Sequence, residues 1–142
     1  MRIQALHPKF KMPTKGSDQA GAFDIYMPES GMVDGTSQLV GLGFATEIHE
    51  GYVALLLPRS SIGAKFGLEL NNTCGVIDAD YRGEWKAALR IKSGQQVGTI
   101  SWEAGERLLQ FLIVPIADVT LELVDSVSKT DRAAGGFGST GK

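Results

Sequence analysis

Cysteine is nearly absent from this sequence. A lone Cys74 excludes an intrachain disulfide and any C-x-x-C zinc motif. That usage fits a reducing, intracellular compartment and predicts a cytoplasmic protein. Histidine is almost as scarce: His7 and His49 stand far apart and make a histidine metal site or a histidine-based triad a poor reading. A strong excess of charge of one sign is missing too. The net charge of −2 argues against a general nucleic-acid or membrane-surface binder. No run approaches the roughly 18 apolar residues of a membrane span, and the opening MRIQALHPKF carries no signal-peptide pattern. Long helical periodicity and dense carboxylate clusters are also lacking.

Glycine and short apolar runs are abundant. The 142 residues suffice for one domain with a substantial core. GYVALLLP (51–58) and RLLQFLIVPI (107–116) read as buried strands bounded by turn residues. EWKAALRIKSG (84–94) and FATEIHEG (44–51) are rich in strand formers. A helical turn is expected over residues 60–66, after Pro58 and before Gly67. Eighteen glycines among many short strands predict an all-β sandwich or barrel. Beyond Leu123 the apolar content falls, so residues 1–125 are expected to form the β domain and residues 126–142 a flexible, glycine-rich tail.

Five segments carry candidate chemistry. GFGSTGK (136–142) has the outline of a P-loop, but the sequence offers no following helix to face a phosphate. Its glycines can still converge backbone N–H groups on an anion, with Arg132 adding a guanidinium and Phe137 a stacking face. In LPRSSIG (57–63), Arg59, Ser60 and Ser61 either cap the helical turn or hold phosphates. In NNTCGVIDADYRGEW (71–85), Asn72 offers an amide donor and acceptor, Tyr81 a flat ring, and Asp78 and Asp80 two acids of which one can serve as base. In GAFDI (21–25), Asp24 sits among apolar residues and needs a partner, an arginine or a metal-bound water. Arg107 and Gln110 are three apart, so on an ideal strand they face opposite sides unless a bulge intervenes.

In order, GAFDI, PRSSIG, GVIDADYRG, GERLLQFLIVP and RAAGGFGSTGK resemble motifs one to five of the trimeric deoxyuridine triphosphatases (dUTPases), over nearly the whole sequence. The resemblance implies a distorted jelly-roll β-barrel forming a homotrimer, with active sites shared between subunits and a tail that closes as a lid. It implies hydrolysis of dUTP to dUMP and pyrophosphate with Mg2+, which keeps uracil out of DNA and supplies dUMP for dTMP synthesis. By the same resemblance Asp78 is the general base, and Tyr81 packs under the sugar and excludes a 2′-hydroxyl. Asn72 with the backbone of Gly75, Val76 and Ile77 reads uracil. Arg59, Ser60, Ser61 and Gln110 are phosphate ligands, and Lys86 contacts the nucleotide. Asp24 touches the metal through water, the triphosphate supplying the direct ligands. Arg132, Phe137, Gly138 and Ser139 are lid contacts.

Two departures stand out. Gly21–Ala22 reverses the order usual in the first motif, and Ala133 occupies a position that is usually glycine. A dCTP deaminase of the same fold is the alternative enzyme, and a regulatory protein-binding module of this fold is the alternative from another class.

Overall fold

A computed structural model describes residues 1–94 and 98–136, the side chains of residues 65 and 66 excepted. The chain runs β1 (Arg2–Ala5), β2 (Thr14–Lys15), β3 (Phe23–Tyr26), β4 (Gly31–Val33), β5 (Gln38–Gly41), β6 (Phe44–Glu47) and β7 (Tyr52–Pro58). It continues through α1 (Ser60–Phe66), β8 (Leu68–Leu70), β9 (Gly75–Ile77), β10 (Lys86–Ile91), β11 (Ile100–Trp102) and β12 (Arg107–Pro115). The expected all-β class is what forms, with a jelly-roll-like arrangement and one short helix among the described residues.

Five strands make the largest sheet, in the order β2-β3-β12-β7-β9, and β5-β10-β8 make a second. The pairs β1–β6 and β4–β11 complete the structure, and every pairing is antiparallel. Strand alternation explains which side chains go inward. On β10, Ala87, Leu89 and Ile91 are buried while Lys86 is exposed.

The core centres on Trp85, whose ring lies 5.0 Å from Phe44 and 5.2 Å, edge-on, from Phe111. Its indole N–H donates to the buried Thr46 hydroxyl at 3.0 Å, so the ring is buried with its polar atom satisfied. Trp102 is likewise buried and donates to the Glu29 carbonyl at 3.0 Å. It lies so close over Gly31 that a Cβ there would stand 2.4 Å from the indole.

The helix falls where the punctuation predicts. Pro58 ends β7, Arg59 is the extended N-cap, and Gly67 closes the helix in the left-handed region at φ 66°. After Pro115 the chain leaves the sheet. The Ile116 N–H still bonds the Gly51 carbonyl at 2.9 Å, but residues 116–136 form no strand. Val119, Leu121 and Leu123, spaced two apart as on one face of a strand, are largely or wholly exposed, Leu123 completely so.

Candidate active site

Asp24 is the one buried acid among the described residues, at 7% exposure, and sits mid-strand on β3. A carboxylate in that position requires compensation, and two arginines provide it. Arg59 Nε lies 3.0 Å from Asp24 Oδ1, and Arg107 Nη1 lies 3.2 Å from Oδ2. Arginine, one of the two partners the sequence allowed, is present twice, and both carboxylate oxygens are engaged.

This corner depends on an irregularity in β12. The register against β3 runs Arg107↔Tyr26, then Leu109↔Ile25, Gln110↔Asp24 and Phe111↔Phe23, so Leu108 is an extra residue. That bulge brings Arg107 and Gln110 to the same side of the sheet, the side of Asp24 and Tyr26. Gln110 Nε2 donates to the Pro58 carbonyl at 3.1 Å, which fixes its amide at the end of β7, where Arg59 begins. Ser60 and Ser61 follow directly. Neither serine is the helix cap: that position is Arg59, and no side chain caps it. The capping role is therefore not realised.

A second group gathers around β9. Gly75 pairs with Leu56 of β7, and a Cβ there would stand 3.0 Å from the Leu56 Cβ, so glycine permits the close approach. The hairpin before it is tight. Thr73 takes φ 67°, and Asn72 Nδ2 donates to the Cys74 carbonyl at 3.1 Å. Val76 is 60% exposed at the strand's centre.

Asp78 follows β9 in an exposed turn closed by the Tyr81 N–H on its carbonyl at 3.2 Å. Arg82 clamps the turn from below, donating to the Ala79 carbonyl at 2.6 Å. Tyr81 lies across Gly83, where a Cβ would stand 2.4 Å from the phenol oxygen, and its hydroxyl donates to the Glu84 carbonyl at 3.0 Å. The hydroxyl end of the ring is thus fixed, while Tyr81 remains 44% exposed. Asp78 and Tyr81 share one rigid turn, and Lys86 stands exposed at the start of β10 just beyond it.

The two groups do not meet within one chain. Ile77 pairs with Ala54, so the next step sets Asp78 abreast of Val53. Arg59 lies six residues further along the same line, roughly 20 Å away at about 3.3 Å per residue.

In the tail, Arg132 is exposed and its Nε donates to the Gly135 carbonyl at 3.0 Å. Ala133 adopts φ 41°, a left-handed conformation that its Cβ disfavours. Phe137, Gly138 and Ser139 lie outside the described residues. No group of three or more His, Cys, Asp or Glu able to hold a metal occurs among the described residues. Among the described residues no helix is long and apolar enough to cross a membrane. Beside the Asp78 turn, where Arg2 and Glu47 border a cavity together with Ala79, Asp80 and Arg82, the Arg2 guanidinium bonded to Glu47 holds that carboxyl below the usual range, though both side chains are exposed.

Sequence reasoning missed Arg107 as a member of the Asp24 corner. The only signal was its spacing from Gln110, which is decisive once the bulge is known.

The dUTPase family model matches residues 8–141. The chain is similar to the deoxyuridine 5′-triphosphate nucleotidohydrolase of Nautilia profundicola, at 38% identity covering 100% of this chain and 99% of that protein. The protein of the same name from Wolinella succinogenes is also 38% identical, over 100% of this chain and 94% of its own. Among solved structures, a mutant of the Staphylococcus bacteriophage 80alpha dUTPase with dUpNHpp superposes with a TM-score of 0.87 at 26% identity, covering 99% of this chain and 98% of that one. With the five motifs in order, the jelly-roll-like sheets and a family match spanning almost every residue, the chain belongs to the dUTPase family.

Proposed function

We propose that this dUTP diphosphatase cleaves dUTP to dUMP and pyrophosphate at sites built between copies of the chain, with Asp78 as the base that deprotonates the attacking water. The observation that carries the shared site is the separation along β7: Asp78 and the Asp24–Arg59 corner stand at opposite ends of one strand. Base and phosphate ligands acting on one nucleotide must then come from different subunits. The bare row of Val119, Leu121 and Leu123 supports the same reading, since such a stripe needs a neighbour to cover it.

A homotrimer is the assembly proposed, with residues 1–125 as the barrel and 126–142 as the tail. Sedimentation at micromolar concentration is expected to give three times the 15.2 kDa of one chain. A fully active monomer would sink the shared site.

Each residue then has a task. An aspartate is ionised at neutral pH and can accept the water's proton as it attacks the α-phosphorus. Arg59, Ser60, Ser61 and Gln110 line one corner and hold the phosphates. Asn72 and the main chain of Gly75–Ile77 meet the uracil edge, and Lys86 contacts the nucleotide. Arg132, Phe137, Gly138 and Ser139 close over it from a third subunit. Magnesium would be held chiefly by the triphosphate's own oxygens. Once bound, the ion neutralises charge on the departing pyrophosphate, and Asp24 is the residue proposed to reach it through water. The product dUMP is kept for dTMP synthesis, and uracil is kept out of DNA.

Tyr81 is proposed to set the sugar specificity. Its ring is pinned at Gly83 and Glu84, so it cannot swing aside for a 2′-hydroxyl. UTP is expected to be a poor substrate, and Tyr81→Ala to narrow the dUTP/UTP ratio of kcat/KM by roughly tenfold or more, within the ~10² that exclusion of one hydroxyl typically supplies. An unchanged ratio moves the role to another group.

Pyrophosphate release from dUTP, compared with dTTP, dCTP and UTP with and without magnesium, tests the whole reading. Ammonia released from dCTP would instead identify the deaminase.

A further inference from the structure

The bulge in β12 leaves one cation without a task in this chemistry. Arg107 donates to Asp24 Oδ2, and its guanidinium stands 5.9 Å from the centre of the Tyr26 ring. Arg59 is tied to the same bulge from the other side. Its main-chain N–H donates to the Leu108 carbonyl at 2.9 Å, and its Nη1 to the Arg107 carbonyl at 3.1 Å. Two guanidinium groups and one carboxylate therefore form a single unit fastened to one irregularity of the backbone. Arg59 and Arg107 also border a cavity of about 450 Å³, together with Ile62 and Ser101, so the unit faces open space.

A structural ion pair needs only one arginine. Arg59 alone would balance Asp24, and a phosphate approaching that neutral pair would meet little net attraction. With Arg107 present the unit carries a net charge of +1. Arg107 also occupies the second carboxylate oxygen. Were that oxygen free, at a side-chain exposure of 10%, it would draw Arg59 into a two-point contact and turn its fork away from a ligand.

We propose that Arg107 is a positioning residue for the phosphates: by holding Asp24 it leaves the charge and the outer edge of Arg59 free for the β- and γ-phosphate end of the substrate. The proposal rests on the reading of Arg59 as a phosphate ligand. It assigns the bulge a purpose, because an unbroken strand would turn Arg107 to the opposite face.

The test is calorimetric titration of the intact protein with the magnesium complex of a non-hydrolysable imido analogue of dUTP and, separately, with dUMP, alongside steady-state kinetics. For Arg107→Gln the analogue is expected to bind about tenfold to a hundredfold more weakly, the range for a lost hydrogen bond to a charged group. dUMP, which lacks the β- and γ-phosphates, should bind within about twofold of the parent protein. KM for dUTP should rise with kcat little changed. Arg107→Lys, which keeps the charge, should recover most of the loss. Should Arg107→Gln fail to fold, Arg107→Met carries the same expectation, because its stem still covers Tyr26. An equal loss for dUMP and the analogue, or no loss for either, overturns the role of Arg107 while leaving the dUTPase reading intact. A parent protein that binds neither ligand overturns both.

Discussion

Replacing Asp78 by asparagine is expected to lower kcat for dUTP by ~10²–10⁴-fold, the usual loss when a positioned base is removed, while dUTP still binds. The turn explains why the loss should be confined to chemistry. It is closed by main-chain bonds, Tyr81 N–H to the Asp78 carbonyl and Arg82 to the Ala79 carbonyl, and neither uses the Asp78 carboxylate. An amide of the same shape leaves those bonds in place and Tyr81 on its ledge. It cannot accept a proton. Single-turnover rates and analogue affinity, measured on the same variant, separate the two effects. Asp80 lies two residues on in the same exposed turn, and Asp80→Asn is the matched control, expected to stay within a few-fold of the parent. If the outcomes are exchanged, Asp80 is the base.

The second large effect is expected from the tail. Deleting residues 133–142 should leave a folded trimer with an unchanged melting temperature and turnover reduced on the order of 10²-fold or more, as for loss of preorganised donors around a developing charge. Stability should hold because the core is complete without the tail: the buried cluster draws on no residue after Phe111. Rate should fall if the tail closes as proposed, because closure would bring backbone donors to the phosphates and expel water other than the nucleophile. Phe137→Ala should be milder, costing about 1–3 kcal/mol if base stacking here matches other nucleotide sites. Mixed trimers provide the geometric check. Tail-deleted chains combined with full-length Asp78→Asn chains should regain activity, since one chain's tail then serves another chain's Asp78. Dead hybrids whose assembly is verified would rule out a crossing tail.

The parts of the fold that were legible in the sequence are those with strong local signals. β7, β12 and α1 announce themselves through uninterrupted apolar runs and through Pro58 and Gly67. β2, β4, β8 and β11 have two or three residues each, too few for any periodicity to register. The need of Asp24 for a partner was also legible, because a charge inside an apolar strand needs compensation wherever it occurs. Which partner answered was not, since Arg59 and Arg107 reach it only through strand order and the slip at Leu108. Bulges are properties of a pair of strands, and one strand's sequence does not display them. The distance between Asp78 and Arg59 is likewise a matter of register: the motifs suggest that they cooperate, and the sheet holds them apart.

β9 is three residues long and, among the described residues, pairs on one side only, with β7. Its outer rim is main chain, and of its two side chains Val76 is exposed while Ile77 is partly buried against the core. A base read there would be read by peptide groups, which every residue other than proline carries alike. Base selection at such a rim would tolerate mutation: exchanging Val76 for another β-forming residue is expected to leave discrimination among pyrimidines unchanged. Under the roles proposed for them, variation that alters substrate choice should therefore fall on Tyr81 and Asn72 rather than on Gly75–Ile77, whose one fixed position is the glycine that lets the strand lie against Leu56.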